Sequence, residues 1–435
     1  GSSVELQEIF SKAGEPVVAD ATGTVEKEIE LSVKSLDGEE MTDRKATKVL
    51  KTPAQDFKIE FETESRRKLE VFPDHRVKTD SGVKKARAVE EGDKLLTPLE
   101  LDIEENDIQE LDLVNFLSDT QDMMIRGVEE QVNEAIDNFG GLKKAADSLN
   151  ISKKSLGNYK YRGSIPRDLF DRLTGEAPED AKIAAKHDTV SLPTSIEIDE
   201  KFLKLLGYYV AEGYIRKSEK NGEEFYQVCF AFGEKELKED IESCIESVFG
   251  KTPTEQDQVL VLSSRIAYDL FENLEMGHGA KSKRVPDLVK HLPKEKVGKF
   301  LSAYFAGDGA VESGRLHVNA TSISRELLDD IDFLLKRFGI YARYREEVRE
   351  AGGVLLDKKG EEHYEGREFT SYKLSIRSGH AVKFGKEIGF SLERKQKTLE
   401  EVYSNQRNSR ENKSKDIVKE EINSISIKKA EERFR

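Results

Sequence analysis

Leu205-Leu206-Gly207-Tyr208-Tyr209-Val210-Ala211-Glu212-Gly213 has a second copy at Leu301-Ser302-Ala303-Tyr304-Phe305-Ala306-Gly307-Asp308-Gly309. Both copies read as an apolar helix that ends on an acid followed by glycine. Gly207 and Ala211, and likewise Ala303 and Gly307, stand four residues apart and so share one helix face, where small side chains let two backbones approach closely. If the two helices pack through those faces, Glu212 and Asp308 meet at one end. An acid at a helix C-terminus opposes the helix dipole, so its presence at matched places in both copies points to a use rather than to packing.

The chain around this pair has 435 residues, too many for one ordinary domain, and about three are expected. A net charge of −15, with 36% charged residues, argues against a uniformly basic nucleic-acid coat but leaves room for a local basic surface. Cys229 and Cys244 alone make neither a disulfide framework nor a four-ligand zinc site. No basic segment followed by an apolar run opens the chain, and no stretch of eighteen apolar residues occurs. The expectation is a cytoplasmic protein with no membrane contact.

Residues 1–103 read as an all-β domain. Ile29–Val33, Phe57–Glu62 and Lys68–Val71 alternate apolar with polar, the period of half-exposed strands, and turn signals at Asp37-Gly38 and Asp80-Ser81-Gly82 separate them. Residues 104–190 read as a helical region. Leu142, Ala145, Ala146 and Leu149 form one stripe, Asn150-Ile151 a turn, and Ser152 an N-cap for a second helix, which is the layout of a helix-turn-helix at about 139–172. Such a second helix enters the major groove with its N-terminal residues nearest the bases, here Lys153, Lys154, Ser155, Asn158 and Tyr159. Phe139 to Arg172 holds eight Lys and Arg against three Asp, opposite in sign to the whole chain. Pro178 to Pro193 reads as linker. Residues 195–400 write an α-β-β-α-β-β-α unit twice, and 401–435 reads as a polar, partly helical tail in which Ile417, Val418 and Ile422 suggest one amphipathic helix.

Two resemblances add to this reading. Pro73-Asp74-His75-Arg76-Val77 and Glu91-Gly92-Asp93-Lys94-Leu95-Leu96 resemble motifs of the Hint domain of inteins, the self-splicing protein elements, in which the residue matching His75 helps to activate the first peptide bond. The match departs from the family at Phe72, which stands where threonine is usual, at the absent first nucleophile, and at Arg433-Phe434-Arg435 in place of His-Asn. A Hint part truncated at both ends is therefore expected, with splicing by this chain unlikely. The duplicated stretch and its downstream strands resemble the LAGLIDADG (dodecapeptide) homing endonucleases.

That second resemblance implies an α+β architecture: a partial all-β Hint domain, a helical insert and a two-repeat nuclease core with pseudo-twofold symmetry. It implies Glu212 and Asp308 as ligands of two or more Mg²⁺ ions, which take oxygen donors and keep waters. It further implies a catalytic lysine in each half, matched here by Lys283 and Lys395, with Lys397 as a substitute for the latter. Glu212 departs from the usual aspartate. The expected function is Mg-dependent double-strand cleavage of a specific DNA site by a monomer, across the minor groove with the sheets over the major groove. Its partners are the DNA site and, in a full-length precursor, the host protein's exteins. The rival reading keeps the fold as a non-cleaving DNA-binding regulator or an RNA-splicing maturase.

Overall fold

The structure, a computed structural model of the chain, describes residues 6–19, 23–37, 40–53, 55–120, 122–174, 178, 180–220, 222–312, 314–350, 368–405 and 417–430. The turn expected at Asp37-Gly38 falls partly outside these residues, as do 406–416 and 431–435 of the expected tail.

The first part begins with helix α1 (Leu6–Lys12) and strands β1 (Pro16–Ala19), β2 (Val25–Asp37) and β3 (Glu40–Lys51), which form a three-stranded antiparallel sheet. It continues with β4 (Phe57–Thr63), β5 (Lys68–Val71), β6 (Arg76–Thr79), β7 (Gly82–Lys85) and β8 (Lys94–Pro98). Period-two patterning places Ile59 and Phe61 on the inward face of β4, where they join Val77, Ala86, Val89 and Leu95 in a small core.

The segment after Pro98 is polar, and its acids strap it to the end of the chain's second repeat. Glu100 pairs with Lys294 at 2.7 Å, Glu105 with the buried Arg337 at 2.9 Å, and Asp107 with Lys296 at 3.0 Å. The region expected to be helical is mixed. It holds β9 (Glu110–Asp112), α2 (Leu113–Phe116), β10 (Met123–Arg126), α3 (Glu129–Asn138), α4 (Leu142–Leu149), α5 (Lys153–Arg162), β11 (Ser164–Pro166) and α6 (Arg167–Leu173). Strands β12 (Lys182–Ala185) and β13 (Leu192–Pro193), in the stretch read as linker, complete a four-stranded sheet in the order β11-β10-β12-β13. The strands are two to four residues long, too short to show a period. Between α4 and α5, Asn150 is left-handed at φ 58° and the Ser152 hydroxyl accepts from the Ser155 amide at 3.0 Å, the expected turn and cap.

After β14 (Ser195–Glu197) come the repeats. The first comprises α7 (Glu200–Glu212), β15 (Gly213–Lys220), β16 (Glu223–Ala231), α8 (Lys235–Phe249), β17 (Thr254–Gln256), β18 (Val259–Ser263) and α9 (Arg265–Asn273). A connection through α10 (Asp287–Lys290) leads to the second: α11 (Lys294–Asp308), β19 (Gly309–Val311), β20 (His317–Ser322), α12 (Arg325–Arg337), β21 (Ala342–Glu350), β22 (Glu368–Arg377) and α13 (Gly379–Glu387), followed by α14 (Glu393–Asn405). The sheets have matching topology, β15-β16-β18-β17 and β19-β20-β22-β21. Even the register agrees, since Gly213 pairs with Phe230 and Gly309 with Ala320 at the mouths of the helices.

The tail is not the expected helix. Residues 417–429 form strand β23, which inserts between β4 and β8 and completes a six-stranded sheet in the order β5-β4-β23-β8-β6-β7. Val418, Glu420 and Ile422 alternate with exposed neighbours along the strand, and the buried Glu420 between two apolar residues leaves the helix-like spacing of Ile417, Val418 and Ile422. This sheet joins the second repeat through Arg67. Its guanidinium donates to Asp332 at 2.7 Å, to the Ala342 carbonyl at 2.8 Å and to Glu420 of β23 at 2.8 Å, and it stacks 4.6 Å from the Tyr341 ring centroid. Burial works against the Glu420 carboxylate, yet Arg67 and the Ser65 and Thr63 hydroxyls hold its pKa below the ordinary value. No helix among the described residues is long and apolar enough to cross a membrane.

Candidate active site

The centre is built by the contact of α7 with α11. A β-carbon on Gly207 would lie 2.3 Å from the Phe300 carbonyl oxygen and 2.9 Å from the Ala303 β-carbon, and one on Gly307 would lie 2.6 Å from the Ala211 β-carbon. Gly207 therefore meets the 300–304 turn while Gly307 meets Ala211 and Glu212, so the helices run side by side in the same direction. Their C-termini, and with them Glu212 and Asp308, arrive together, as the small-residue spacing predicts. The two acids line one open cavity of about 600 Å³ with Lys283, Tyr214, His278, Thr321, Ser322, Ser371 and Arg349.

Each half receives a lysine. Lys283, 5% exposed, donates to the carbonyls of Tyr209 and Gly213 and sits 4.0 Å from the centroid of the Tyr209 ring. Lys395 donates to the carbonyls of Ala306, Gly307 at 3.2 Å and Gly309 at 2.7 Å. The two ammonium groups thus hold the last turns of α7 and α11, and Gly213 and Gly309 are matching positions. Carbonyls at a helix C-terminus lack intrahelical partners and carry the negative end of the dipole, so a cation is favoured there. Lys397 is excluded from this role: it is exposed and pairs with Glu393 at 2.5 Å.

The lysine of each half is mounted on the other. The Lys283 carbonyl accepts from the hydroxyl of Ser324, the cap of α12 in the second repeat, at 2.7 Å. Just before Lys395, the Ser391 hydroxyl bonds Tyr208 of α7 at 2.6 Å and Arg394 pairs with Glu234 at 2.8 Å. Neither half is complete alone.

Burial dominates the electrostatics. It pushes the Asp308 pKa, with added repulsion from Glu212, up to about 8, against the pull of the two lysines. Burial raises Glu212 as well, while Lys395 and Lys283 oppose the rise. The same burial brings Lys283 down to about 7 despite the nearby acids, and it lowers Lys395 too. Burial thus disfavours the charged forms of Glu212, Asp308 and Lys283, which line the cavity, and of Lys395 at the end of α11, the pattern of a functional site. Among the described residues no group of three or more His, Cys, Asp or Glu side chains gathers to hold a metal. The acid pair nonetheless suits a hard divalent cation, which would relieve both their burial and their repulsion and take further oxygens from water or a phosphate.

The remaining candidates lie elsewhere. His75 is an exposed residue of the turn between β5 and β6, its amide bonded to the Phe72 carbonyl at 2.9 Å. On α5, Lys153, Lys154 and Asn158 are exposed, but Ser155 is tied to Ser152 and Tyr159 is packed against the core, so these two do not share the outward face. The sequence reading missed His278. It lies in a loop whose Gly277 carbonyl accepts from the Tyr209 hydroxyl at 3.3 Å, a long-range contact with no local signal.

Comparison with known proteins bears on the second repeat most directly: residues 295–389 match the family described as a LAGLIDADG-like domain. The chain is 33% identical over 374 residues to the DNA polymerase II large subunit of Thermococcus kodakarensis, an alignment covering 81% of this chain and 20% of that protein. It is 24% identical over 411 residues to the uncharacterized protein MJ1054 of Methanocaldococcus jannaschii, covering 86% of this chain and 45% of that one. The chain thus spans less than half the length of either relative. Among solved structures, a mesophilic variant of the homing endonuclease I-DmoI aligns at 17% identity over 44% of this chain and 96% of its own, with a TM-score of 0.33.

Proposed function

We propose that the chain is a site-specific DNA endonuclease of the LAGLIDADG type, embedded in or derived from an intein, that hydrolyses one phosphodiester bond in each strand of a duplex. The observation that carries this reading is the meeting of Glu212 and Asp308 at the paired ends of α7 and α11, each end held by a lysine, Lys283 buried and Lys395 half-buried. The LAGLIDADG-like match of residues 295–389 supports it. Alignment of most of the chain with a fifth of a polymerase subunit fits an element carried within a host protein, as does the discontinuous β domain around His75.

Glu212 and Asp308 would hold Mg²⁺, which when bound would activate water and offset charge on the scissile phosphates. The chain's own groups do the rest. The two carboxylates, one from each repeat, fix a site for each strand. Lys283, with its pKa near 7, can take or give a proton at Nζ close to neutral pH, and Lys395 holds the equivalent place in the second half. Residues projecting from the two sheets would face the duplex, and α5, with Lys153, Lys154 and Asn158 exposed, would extend the contact.

The test is cleavage of a plasmid carrying the host gene with the segment that encodes this chain removed. Linearisation in Mg²⁺, lost with Glu212→Gln or Asp308→Asn, is expected. Salt-sensitive binding by the unmodified protein without any metal-dependent nicking would reject the enzyme in favour of a non-cleaving reader.

A further inference from the structure

The segment that leaves the β domain, residues 99–109, lends no side chain to the cavity. It nevertheless reaches the N-termini of both helices whose C-termini carry Glu212 and Asp308. At α7 the Gln109 carbonyl accepts the Ile198 amide at 2.7 Å, and β9, which follows directly, pairs Glu110 with Glu197 of β14. At α11 the Glu105 carboxylate accepts the backbone amide of Lys294, the first residue of the helix, at 3.0 Å. Beside it the Asn106 amide donates to the His291 carbonyl at 2.7 Å.

The two helices differ in what their own sequences supply at that end. Asp199 caps α7, accepting from the Phe202 amide at 2.8 Å, and Glu200 follows in the first turn. Helix α11 starts from Pro293, which offers no side-chain acceptor, and it brings Lys294, Lys296 and Lys299 to the end where the helix dipole disfavours a cation. The correction comes from outside the helix. Glu105 satisfies an orphan amide with a negative charge, Glu100 pairs with Lys294 at 2.7 Å, and Asp107 pairs with Lys296 at 3.0 Å. The Lys296 ammonium also donates to the Ile108 carbonyl at 2.9 Å, and Lys299 pairs with Glu200 of α7 at 2.8 Å, so the two N-termini are tied to each other. Glu105 is itself anchored by the fully buried Arg337, whose guanidinium donates to it at 2.9 Å and to the Lys290 carbonyl at 3.1 Å.

A helix behaves as a rod, so the placing of one end is felt at the other. The close contact of Gly207 with Phe300 and Ala303 lies roughly two thirds of the way along α11 and serves as a pivot, so a shift at Lys294 returns at Asp308 at about half its size. About half an ångström is the tolerance of a catalytic constellation. The segment leaves the β domain at Pro98, which pairs with Ile417 of β23, so the far end of this lever is held by the six-stranded sheet.

We infer that residues 99–109 are a strap that aligns the two central helices, and that Glu105 is a positioning residue for the acid pair: it supplies from outside the repeats the cap that α11 lacks and so sets where Asp308 stands against Glu212. The β domain thereby acts on the cleavage centre without placing a side chain in it. That the acids are positioned for DNA cleavage rests on the endonuclease reading; the strap itself rests on the contacts alone.

The test uses the full chain and two readouts, at a temperature where circular dichroism shows every variant folded. Hydrogen exchange in EDTA follows the amides of the first turns of α11. Glu105→Ala is expected to speed their exchange about five-fold, the worth of one cap, and Glu105→Ala/Pro293→Asp, which gives α11 a cap of its own as Asp199 gives α7, to restore it. Single-turnover cleavage of the empty host-gene site in Mg²⁺ is expected to slow about ten-fold in Glu105→Ala with DNA affinity unchanged, and to recover with Pro293→Asp. Because Glu105→Ala leaves a buried guanidinium behind, Glu105→Ala/Arg337→Met is made alongside it and is expected to stay slow, since it still lacks the cap. Unchanged exchange in Glu105→Ala overturns the proposal, as does faster exchange with an unchanged cleavage rate. Cleavage that Arg337→Met repairs and Pro293→Asp does not would reduce Glu105 to a partner for a buried charge and overturn it too. The two readouts keep this idea apart from the nuclease reading: binding without cutting by the unmodified protein rejects the nuclease and leaves exchange to decide the strap, whereas cutting with unchanged exchange keeps the nuclease and rejects the strap.

Discussion

Asp308→Asn should make the metal-free protein more stable while removing its activity. The carboxyl is pushed from an ordinary 3.8 to about 8 by burial and by Glu212, so in the fold it holds a proton that the unfolded chain has released throughout that window. The folded state binds more protons than the unfolded state there, and its stability falls as pH rises from about 4 to about 8. At roughly 1.4 kcal/mol for each pH unit, the accumulated loss at pH 7 has a ceiling of about 4 kcal/mol. Water entry and the nearby lysines reduce it, so a gain of at least about 1 kcal/mol is expected for the neutral amide, which has nearly the same shape. Thermal unfolding of both proteins in EDTA, from acid to mildly alkaline pH, reads this directly. The two melting temperatures should coincide near pH 4 and separate steadily toward pH 8, with Asp308→Asn the higher. Adding Mg²⁺ should raise the melting temperature of the unmodified protein and close the gap. A variant less stable than its parent at pH 8, or a gap that does not change with pH, would refute the claim that burial of this carboxylate is unfavourable.

Further outcomes follow from other contacts. Lys283→Met removes an amine whose pKa drops from 10.5 to about 7, so the unmodified protein should gain stability relative to this variant as pH rises from 7 to 10; a flat difference would contradict the burial argument. Gly207→Ala forces a β-carbon against the Phe300 carbonyl and should cost about 1–3 kcal/mol in denaturant unfolding, with a larger proportional loss of cutting because the acids separate. Arg67→Met leaves Glu420 buried with only the Thr63 and Ser65 hydroxyls and Asp332 with only Lys336, and a loss of about 3–5 kcal/mol with faster proteolysis near β23 is expected. His278→Ala should slow nicking of one strand more than the other, since among the described residues only His278 brings an imidazole to the cavity; equal slowing would remove it from the site.

How much of this could be read from the residues depends on the range of the interaction. The pairing of α7 with α11 was legible because small residues at i and i+4 act locally, and the two copies vouch for each other. The order of the repeat elements was legible for the same reason, apart from β17, a three-residue polar strand with no pattern to find. Lys283 and Lys395 came only through a family resemblance; nothing near them in sequence announces that Ser324 and Tyr208, each from the opposite half, hold their segments in place. Strand β23 was misread because a glutamate, Glu420, fills the inward position between Val418 and Ile422, and its burial depends on Arg67, more than 350 positions away. That Tyr159 turns inward on α5 required knowing that Leu156, three residues before it and so on the same side, is fully buried.

The position of β23 also dictates when the chain can fold. Its partners β4 and β8 are complete by Pro98, yet the strand that lies between them begins at Ile417, paired directly with Pro98. During synthesis, β4 and β8 each expose an open edge until residues 99–416 have been made, and exposed edges invite pairing with other chains. The repeats, whose contacts are closer in sequence, can fold first and bring the two ends of this long excursion together, so that β23 closes the sheet last. A destabilised repeat would then be felt first as aggregation through a sheet to which it contributes no strand.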